Sequence, residues 1–556
     1  MKFSEIPYSR TDKESAINEI TKLTENAVNA ANGKELFENH KNYYKLNDKI
    51  ATEVTIAQIR FSMNTADDFY KNEVTYYDNL LPEFEVYNDA YKKAIYNSPY
   101  ADYLKEKIGE PAFKSMELSF KAFNEKIVSL MQEENALETE YDALIASAQI
   151  PFDGKINNLS MMKVYMTSSD REVRKSAWKA VSEYLSSVTD KIDIIYDKMV
   201  KNRTQQAKTL GYKDYVELGY YRMNRISYNR EMVESFRKQI KEVFVPLVTE
   251  IHKKRQARIG VDKLKYYDSS VYFKEGNPKL TVSEKEMIPS AVKMYHSLSK
   301  ETSDFIDVMN ENELFDIFTR KNKQQGGYMT FLPDYRLPFI FGNCNGTFDD
   351  VGLITHECGH AFQGYLTAKE EIKEFNDITM ETAEIHSMSM EYFTYKYMDM
   401  FFGEKAGDYI TLHTEDSIIF IPYGCMVDEF QHIVYENPEM TPQQRKDVWK
   451  ELESQYRPLL DYDNDPFFSC GGYWQRQGHI FTSPFYYIDY VLASICAMQF
   501  KVWMKKDFNE AWNNYLKLCK LSAKGFYTDM ITSCGLSNPF EKDCITALVK
   551  ELKKTV

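Results

Sequence analysis

Glycine and proline are scarce in this chain, 22 and 17 of 556 residues, and that scarcity constrains the fold more than any other feature. Glycine weakens a helix through its backbone freedom, and proline breaks one by lacking an N–H. A chain with few of either can run long helices without interruption. The apolar spacing agrees. Ile17, Ile20, Leu23 and Ala27 recur at intervals of three and four, as do Leu137, Tyr141, Leu144 and Ile145. Each set falls on one helix face. A mostly α architecture is expected, with no fixed-period repeat and no low-complexity segment.

Two breaks interrupt the helical pattern. In Ile150-Pro151-Phe152-Asp153-Gly154-Lys155, proline and Asp-Gly predict a turn and a short hairpin. A helix follows, with Ser169 and Glu172 spaced as a capping box. These signals divide the chain into an N-terminal helical lobe, 1–170, and a larger unit, 171–556. The second break runs from Gly326-Gly327 to Gly346. Its short apolar run with a proline, Leu337-Pro338-Phe339-Ile340-Phe341, predicts an edge strand.

Composition excludes several classes. No stretch of about 18 apolar residues could span a membrane, and Met1 to Arg10 has no apolar run like a secretory signal. A cytoplasmic protein is expected. The cysteines, at 344, 358, 425, 470, 496, 519, 534 and 544, contain no Cys-x-x-Cys pair, so neither a disulfide framework nor a cysteine metal cluster is expected. A net charge of −14 argues against a nucleic-acid partner, which would need a basic face.

The sharpest signal is Thr355-His356-Glu357-Cys358-Gly359-His360. Residues four apart on a helix lie one turn above the other, so His356 and His360 can offer two imidazoles to one metal. Zinc suits such a set, because it accepts histidine and carboxylate and keeps a position open for water in catalytic sites. Glu357 is then placed to take a proton from that water and deliver it to a leaving amine. The acidic lead-in Asp349-Asp350 marks the helix start.

A third ligand is needed. A histidine ten residues after the first is ruled out, because that position is Leu366. A glutamate from a second helix is the other arrangement. Asp377 is read as that helix's N-cap, after which Glu381, Glu384, Met388 and Glu391 share one stripe. Glu384 is the expected ligand; Glu381 and Glu391 are candidates to orient the histidine rings. His386 falls on another face and is read as packed. His413 and His432 are read as structural.

These residues resemble the thimet oligopeptidase and oligoendopeptidase F family of zinc peptidases. The likeness rests on Phe341-Gly342-Asn343-Cys344-Asn345-Gly346 running into His356-Glu357-Cys358-Gly359-His360, on Ala383-Glu384-Ile385 with Glu391, on Val427 to His432, and on His479 to Tyr490. The last stretch resembles the oligoendopeptidase F branch in particular. The match covers roughly 150 to 550, with nothing specific before it. It implies two helical lobes around a deep channel, with a small β-sheet beside the metal helix, and a channel that admits short unstructured peptides. It implies one Zn2+ per chain on His356, His360 and Glu384, and Glu357 as general base. His479, with Tyr486 or Tyr490, would stabilise the transition state. Cys358 takes a variable position and should face away from the metal.

Water attack on a peptide carbonyl builds negative charge on oxygen, and a neutral phenol or imidazole N–H aimed there helps the transition state more than the substrate. The tyrosines could equally be packing aromatics. The loop Cys470-Gly471-Gly472-Tyr473 is suited to closing over a substrate. The strand residues Phe341, Gly342, Asn343 and Cys344 could pair with a peptide backbone, or simply pack on the metal helix. The expected activity is an endopeptidase acting on short peptides, as a monomer or small homo-oligomer. The competing readings are a dipeptidyl carboxypeptidase on the same scaffold, a non-catalytic peptide-binding protein, and a structural metal site.

Overall fold

Side-chain caps start the long helices of the N-terminal region. In the structure, a computed structural model that describes residues 1–555, Asp12 accepts from the Ser15 N–H at 2.8 Å to begin α1 (Lys13–Val28). Asn32 and Asp67 do the same for α2 (Gly33–Met63) and α3 (Asp68–Tyr96). With α4 (Ala101–Ile108) and α5 (Glu110–Ala122) these helices enclose an apolar core of their own. Ile20, Leu23 and Ala27 lie in it beside Tyr77, Phe84 and Phe113, as the spacing predicts.

The next helix, α6 (Val128–Ala146), was expected in this lobe but packs with a second, larger core. The reason is its inner face: Leu137 and Tyr141 point that way, and the Tyr141 ring stacks on Phe481 with centroids 3.8 Å apart. The hairpin forms where predicted. Strands β1 (Ile150–Phe152) and β2 (Lys155–Asn157) pair across Asp153 and Gly154, both at positive φ (51° and 69°). After α7 (Leu159–Met166) comes α8 (Arg171–Thr209). Its cap is Asp170, which accepts from Glu172 N at 2.9 Å. The predicted Ser169–Glu172 box does not form, because Val173 occupies the position from which a glutamate would reach back.

Apolar and polar contacts together join the N-terminal region to the larger core: Phe3, Ile6, Ile56 and Ile59 are buried in it, and the Phe3 ring centroid lies 4.4 Å from that of Phe339. Glu374 takes His40 at 2.7 Å and the Tyr44 hydroxyl; Asp48 pairs with Lys373 at 2.7 Å; Ser62 donates to Gln324 at 2.7 Å.

The strands β3 (Phe315–Phe318), β4 (Tyr328–Leu332) and β5 (Leu337–Cys344) form one sheet in the order β3-β5-β4. The expected edge strand, β5, is therefore central, parallel to β3 and antiparallel to β4. Pro338 is tolerated because it pairs with Phe331 of β4 before β3 joins at Ile340, where a donor is needed on one side only. Two contacts place the sheet against α9 (Asp349–Thr367), the helix that follows. Asp350 accepts from the Asn345 and Gly346 N–H groups at 3.0 and 2.8 Å. A side chain at Gly342 would stand 2.8 Å from Leu353, so glycine lets the sheet lie close to the helix. Helices α10 (Met380–Phe393), α11 (Ala406–Glu436) and α12 (Tyr487–Met504) complete the frame around the candidate site. Helix α10 starts after Thr379; Asp377, the predicted cap, instead ends a short 3-10 turn.

Among the described residues, every cysteine is a free thiol and no helix is long and apolar enough to cross a membrane.

Candidate metal centre

Helix geometry stacks His356 above His360 on α9, with ring centroids 5.0 Å apart. Glu384 enters from α10. Its Oε2 lies 3.3 Å from His356 Nε2 and 3.5 Å from His360 Nε2, and one donor atom from each of the three lies within 4.8 Å of the others. Donors about 2.0–2.1 Å from a tetrahedral zinc stand about 3.4 Å apart, so the three residues fit such an ion. The helices can come this close because residue 359 has no side chain. A Cβ there would sit 2.6 Å from Ser387 Cα and 2.7 Å from the His386 carbonyl.

The surrounding shell is specific. Glu384 Oε1 accepts from the Tyr486 hydroxyl at 2.6 Å, and its Oε2 from Ser387 at 2.9 Å. His356 Nδ1 meets Glu391 Oε1 at 2.6 Å, which leaves Nε2 to face the other donors. The second oxygen of Glu391 meets His413 Nε2 at 2.6 Å, and His413 Nδ1 meets the Tyr395 hydroxyl at 2.7 Å. Burial opposes the charge on Glu391, but the hydrogen bonds with His356 and His413 prevail and hold it down at about 2. Glu384 is likewise held well below the usual carboxylate range: burial opposes its charge, and the two imidazoles overcome it. Glu357 is 8% exposed, and burial pushes its carboxyl up against the pull of both histidines.

His479 lies beside the tyrosines, its ring 5.9 Å from Tyr486 and 5.8 Å from Tyr490 between centroids; the two tyrosine rings are 4.5 Å apart. Burial lowers its pKa and keeps the imidazole neutral. Gln477 Nε2 meets His479 Nδ1 at 3.1 Å, and the Gln477 carbonyl accepts from Tyr423 at 2.8 Å. With Tyr423 donating to Oε1 and Gln477 Nε2 donating to the ring, Nδ1 accepts and the ring proton lies on Nε2. Just before Tyr486, Phe485 adopts a left-handed backbone (φ 68°), fully buried and held by a 3.0 Å bond from its N–H to Gln431. Non-glycine residues in this region are uncommon and strained.

Several predicted residues do not serve as expected. Glu381 is 1% exposed, bonds to neither histidine, and is pushed up by burial and by Asp489. Phe341 and Cys344 are buried, and β3 pairs with them along one side of β5. On the other side β4 reaches Phe341, and Asn343 bonds to the carbonyls of Gln324 and Gly326 at 2.8 and 2.7 Å. Phe341 is thus paired on both sides of β5, while Gly342, Asn343 and Cys344 run beside β3 on one side and carry only the Asn343 side-chain amide bonds on the other. The loop at Gly471-Gly472 is a wedge, not a flap: a Cβ on Gly471 would stand 2.1 Å from the Lys446 carbonyl, and Trp474 is fully buried. Cys358 is buried against Tyr295, away from the ligands. His386 is buried and held near 3 by desolvation, and His432 meets Tyr220 at 3.1 Å; both are packed. His413, read as structural, belongs to the metal shell, and Gln477 and Tyr423 were not singled out at all. A histidine at an arbitrary distance along the chain carries no local sign of its partner.

Residues 164–545 match Peptidase family M3, and residues 3–123 match the Peptidase M3 N-terminal domain. Oligopeptidase PepF of Bacillus subtilis is 22% identical over 394 residues, 68% of this chain and 57% of that protein. Group B oligopeptidase PepB of Streptococcus agalactiae is 24% identical over 364 residues, 63% of this chain and 58% of that one. The chain thus aligns with a little over half the length of these relatives. The solved structure of PZ peptidase A with an inhibitor superposes with a TM-score of 0.97 at 41% identity, covering 100% of this chain and 98% of that one. A structure assigned as oligoendopeptidase F does so at 0.97 and 39%, covering 100% and 99%. This chain belongs to peptidase family M3.

Proposed function

We propose that the chain is a zinc-dependent endopeptidase that hydrolyses internal bonds of short, unstructured peptides in the cytoplasm. The observation that carries this reading is the convergence of His356 Nε2 and His360 Nε2 on Glu384 Oε2, with a buried glutamate, Glu357, in the same helical turn. The relatives named oligopeptidases support the substrate class.

His356, His360 and Glu384 would hold the ion. Bound there, zinc supplies Lewis acidity to the substrate carbonyl and brings the pKa of water toward about 7. Glu357 takes the water's proton on a carboxylate oxygen and returns it to the departing amine; its raised affinity for protons suits both steps. His479, protonated on Nε2, and the hydroxyl of Tyr486 or Tyr490 donate to the oxyanion as it develops. Glu391 keeps the His356 ring in register.

The test is digestion of a peptide library blocked at both termini, followed by mass spectrometry with and without chelator. Internal cleavage that chelator abolishes is expected. Failure to cut the blocked peptides while their counterparts with a free terminal carboxylate are cut would refute the endopeptidase, and turnover surviving in Glu357→Gln would refute the mechanism.

A further inference from the structure

A second cavity, of about 260 Å3, opens between the end of α10, the first turns of α11 and the end of α12. Lys501 lies in its wall and is only 6% exposed. Its ammonium donates to Thr414 Oγ1 and stands 5.1 and 5.4 Å from the ring centroids of Tyr392 and Tyr395. Lys396 and Lys505 line the same cavity and are exposed. Among the described residues, none of these lysines has a carboxylate partner. The one acid in the lining, Glu415, is taken: Arg258 binds both its oxygens, at 2.9 and 2.5 Å. The cavity is therefore a positive pocket in a chain of net charge −14.

A buried ammonium without a counter-charge is costly, and lysine is almost never fully buried unless paired. Such a group either sheds its proton or is met by an anion from outside. Burial, with Lys505 adding to it, brings Lys501 down to about 7, so a bound anion would restore its charge at neutral pH. The same lining carries the apolar side chains Ile410, Met504 and Phe508, with the Lys396 ammonium 4.1 Å from the Phe508 ring centroid. The volume lies below the about 300–1,000 Å3 of drug-sized sites and suits a small ligand.

We propose that this cavity binds a small organic oxyanion, its acidic head on Lys501, Thr414 and Lys505 and its short apolar body against Ile410, Met504 and Phe508.

The experiment is calorimetric titration of the full, zinc-loaded chain with hexanoate, hexyl phosphate and inorganic phosphate, at constant ionic strength in chloride. Saturable binding of hexanoate or hexyl phosphate is expected, about tenfold or more tighter than inorganic phosphate, and comparing the two identifies the head group. Lys501→Met should weaken it about tenfold or more. Lys505→Gln, at an exposed position that leaves folding intact, should weaken it severalfold. Lys179→Gln, whose side chain is 72% exposed on α8, should leave it unchanged. Absence of saturable binding overturns the proposal. So does binding that survives both lysine changes, or binding that disappears when the metal is removed, which would assign the anion to the metal centre. Inorganic phosphate binding as tightly as hexyl phosphate overturns the apolar half.

Discussion

The backbone of Gly359 rests against that of Ser387, so close that a Cβ on the glycine would stand 2.6 Å from the serine Cα. That contact sets how far the ligand helix α10 lies from α9. In an ordinary helix, glycine to alanine gains up to about 1 kcal/mol. Here the obstacle is backbone and cannot rotate aside, so overpacking, typically about 1–3 kcal/mol, outweighs the gain. Gly359→Ala should lower stability in urea unfolding. It should also weaken zinc about tenfold or more in chelator competition, since Glu384 is pushed away from both rings.

His413 should matter to the metal without touching it. It holds the far oxygen of Glu391, whose near oxygen holds His356. Losing such an outer partner typically costs about 10–100-fold in metal affinity or activity. His413→Ala should weaken zinc by about that factor, with KM nearly unchanged in zinc-saturated assays. A purely structural role would lower the melting temperature and leave the zinc constant alone.

Gln477 sets the His479 tautomer, and Gln477→Glu should reverse it. A carboxylate there would draw the proton to Nδ1 and turn a lone pair toward the substrate. Loss of one oxyanion donor costs about 10²–10³ in rate, so kcat should fall by that order with zinc content intact. The carboxylate would also raise the pKa that burial now lowers. As pH falls through that raised value, the imidazolium regains a proton on Nε2. The ratio of variant to parental kcat should therefore climb toward acid pH; a flat ratio would rule out the tautomer argument.

Phe485 is packed against Gly219, where a Cβ would stand 2.6 Å from its ring. Gly219→Val should displace the left-handed elbow and Tyr486 with it. The expected result is a lower melting temperature together with a kcat loss that added zinc does not restore.

Much of the site could be read from spacing alone, because its ligands sit on helices and helical period converts sequence distance into direction. His356, His360, Glu384 and Glu391 fall together for that reason. The long helices follow from the same periodicity. The failures are non-local. The central position of β5 depends on β3, more than twenty residues upstream, curling in beside it. The cap of α8 went to Asp170 because aspartate competes for the same N–H groups as its serine neighbour. Gly471-Gly472 looked like a hinge, yet glycine there answers to a neighbouring carbonyl. Glu381 shares a stripe with Glu384 but, one turn earlier, is buried with neither carboxylate oxygen bonded to a ring.

Phe3, Ile6, Ile56 and Ile59 cross the joint into the larger core, beside hydrogen bonds and ion pairs at Glu374, Asp48 and Ser62. Groups of this kind exchange one another for water at modest net cost, whereas greasy surfaces resist separation. Moving the first hundred or so residues away from the remainder would draw Phe3, Ile6, Ile56 and Ile59 into water, so that end is held by oil as well as by charge, and added salt alone should not loosen it.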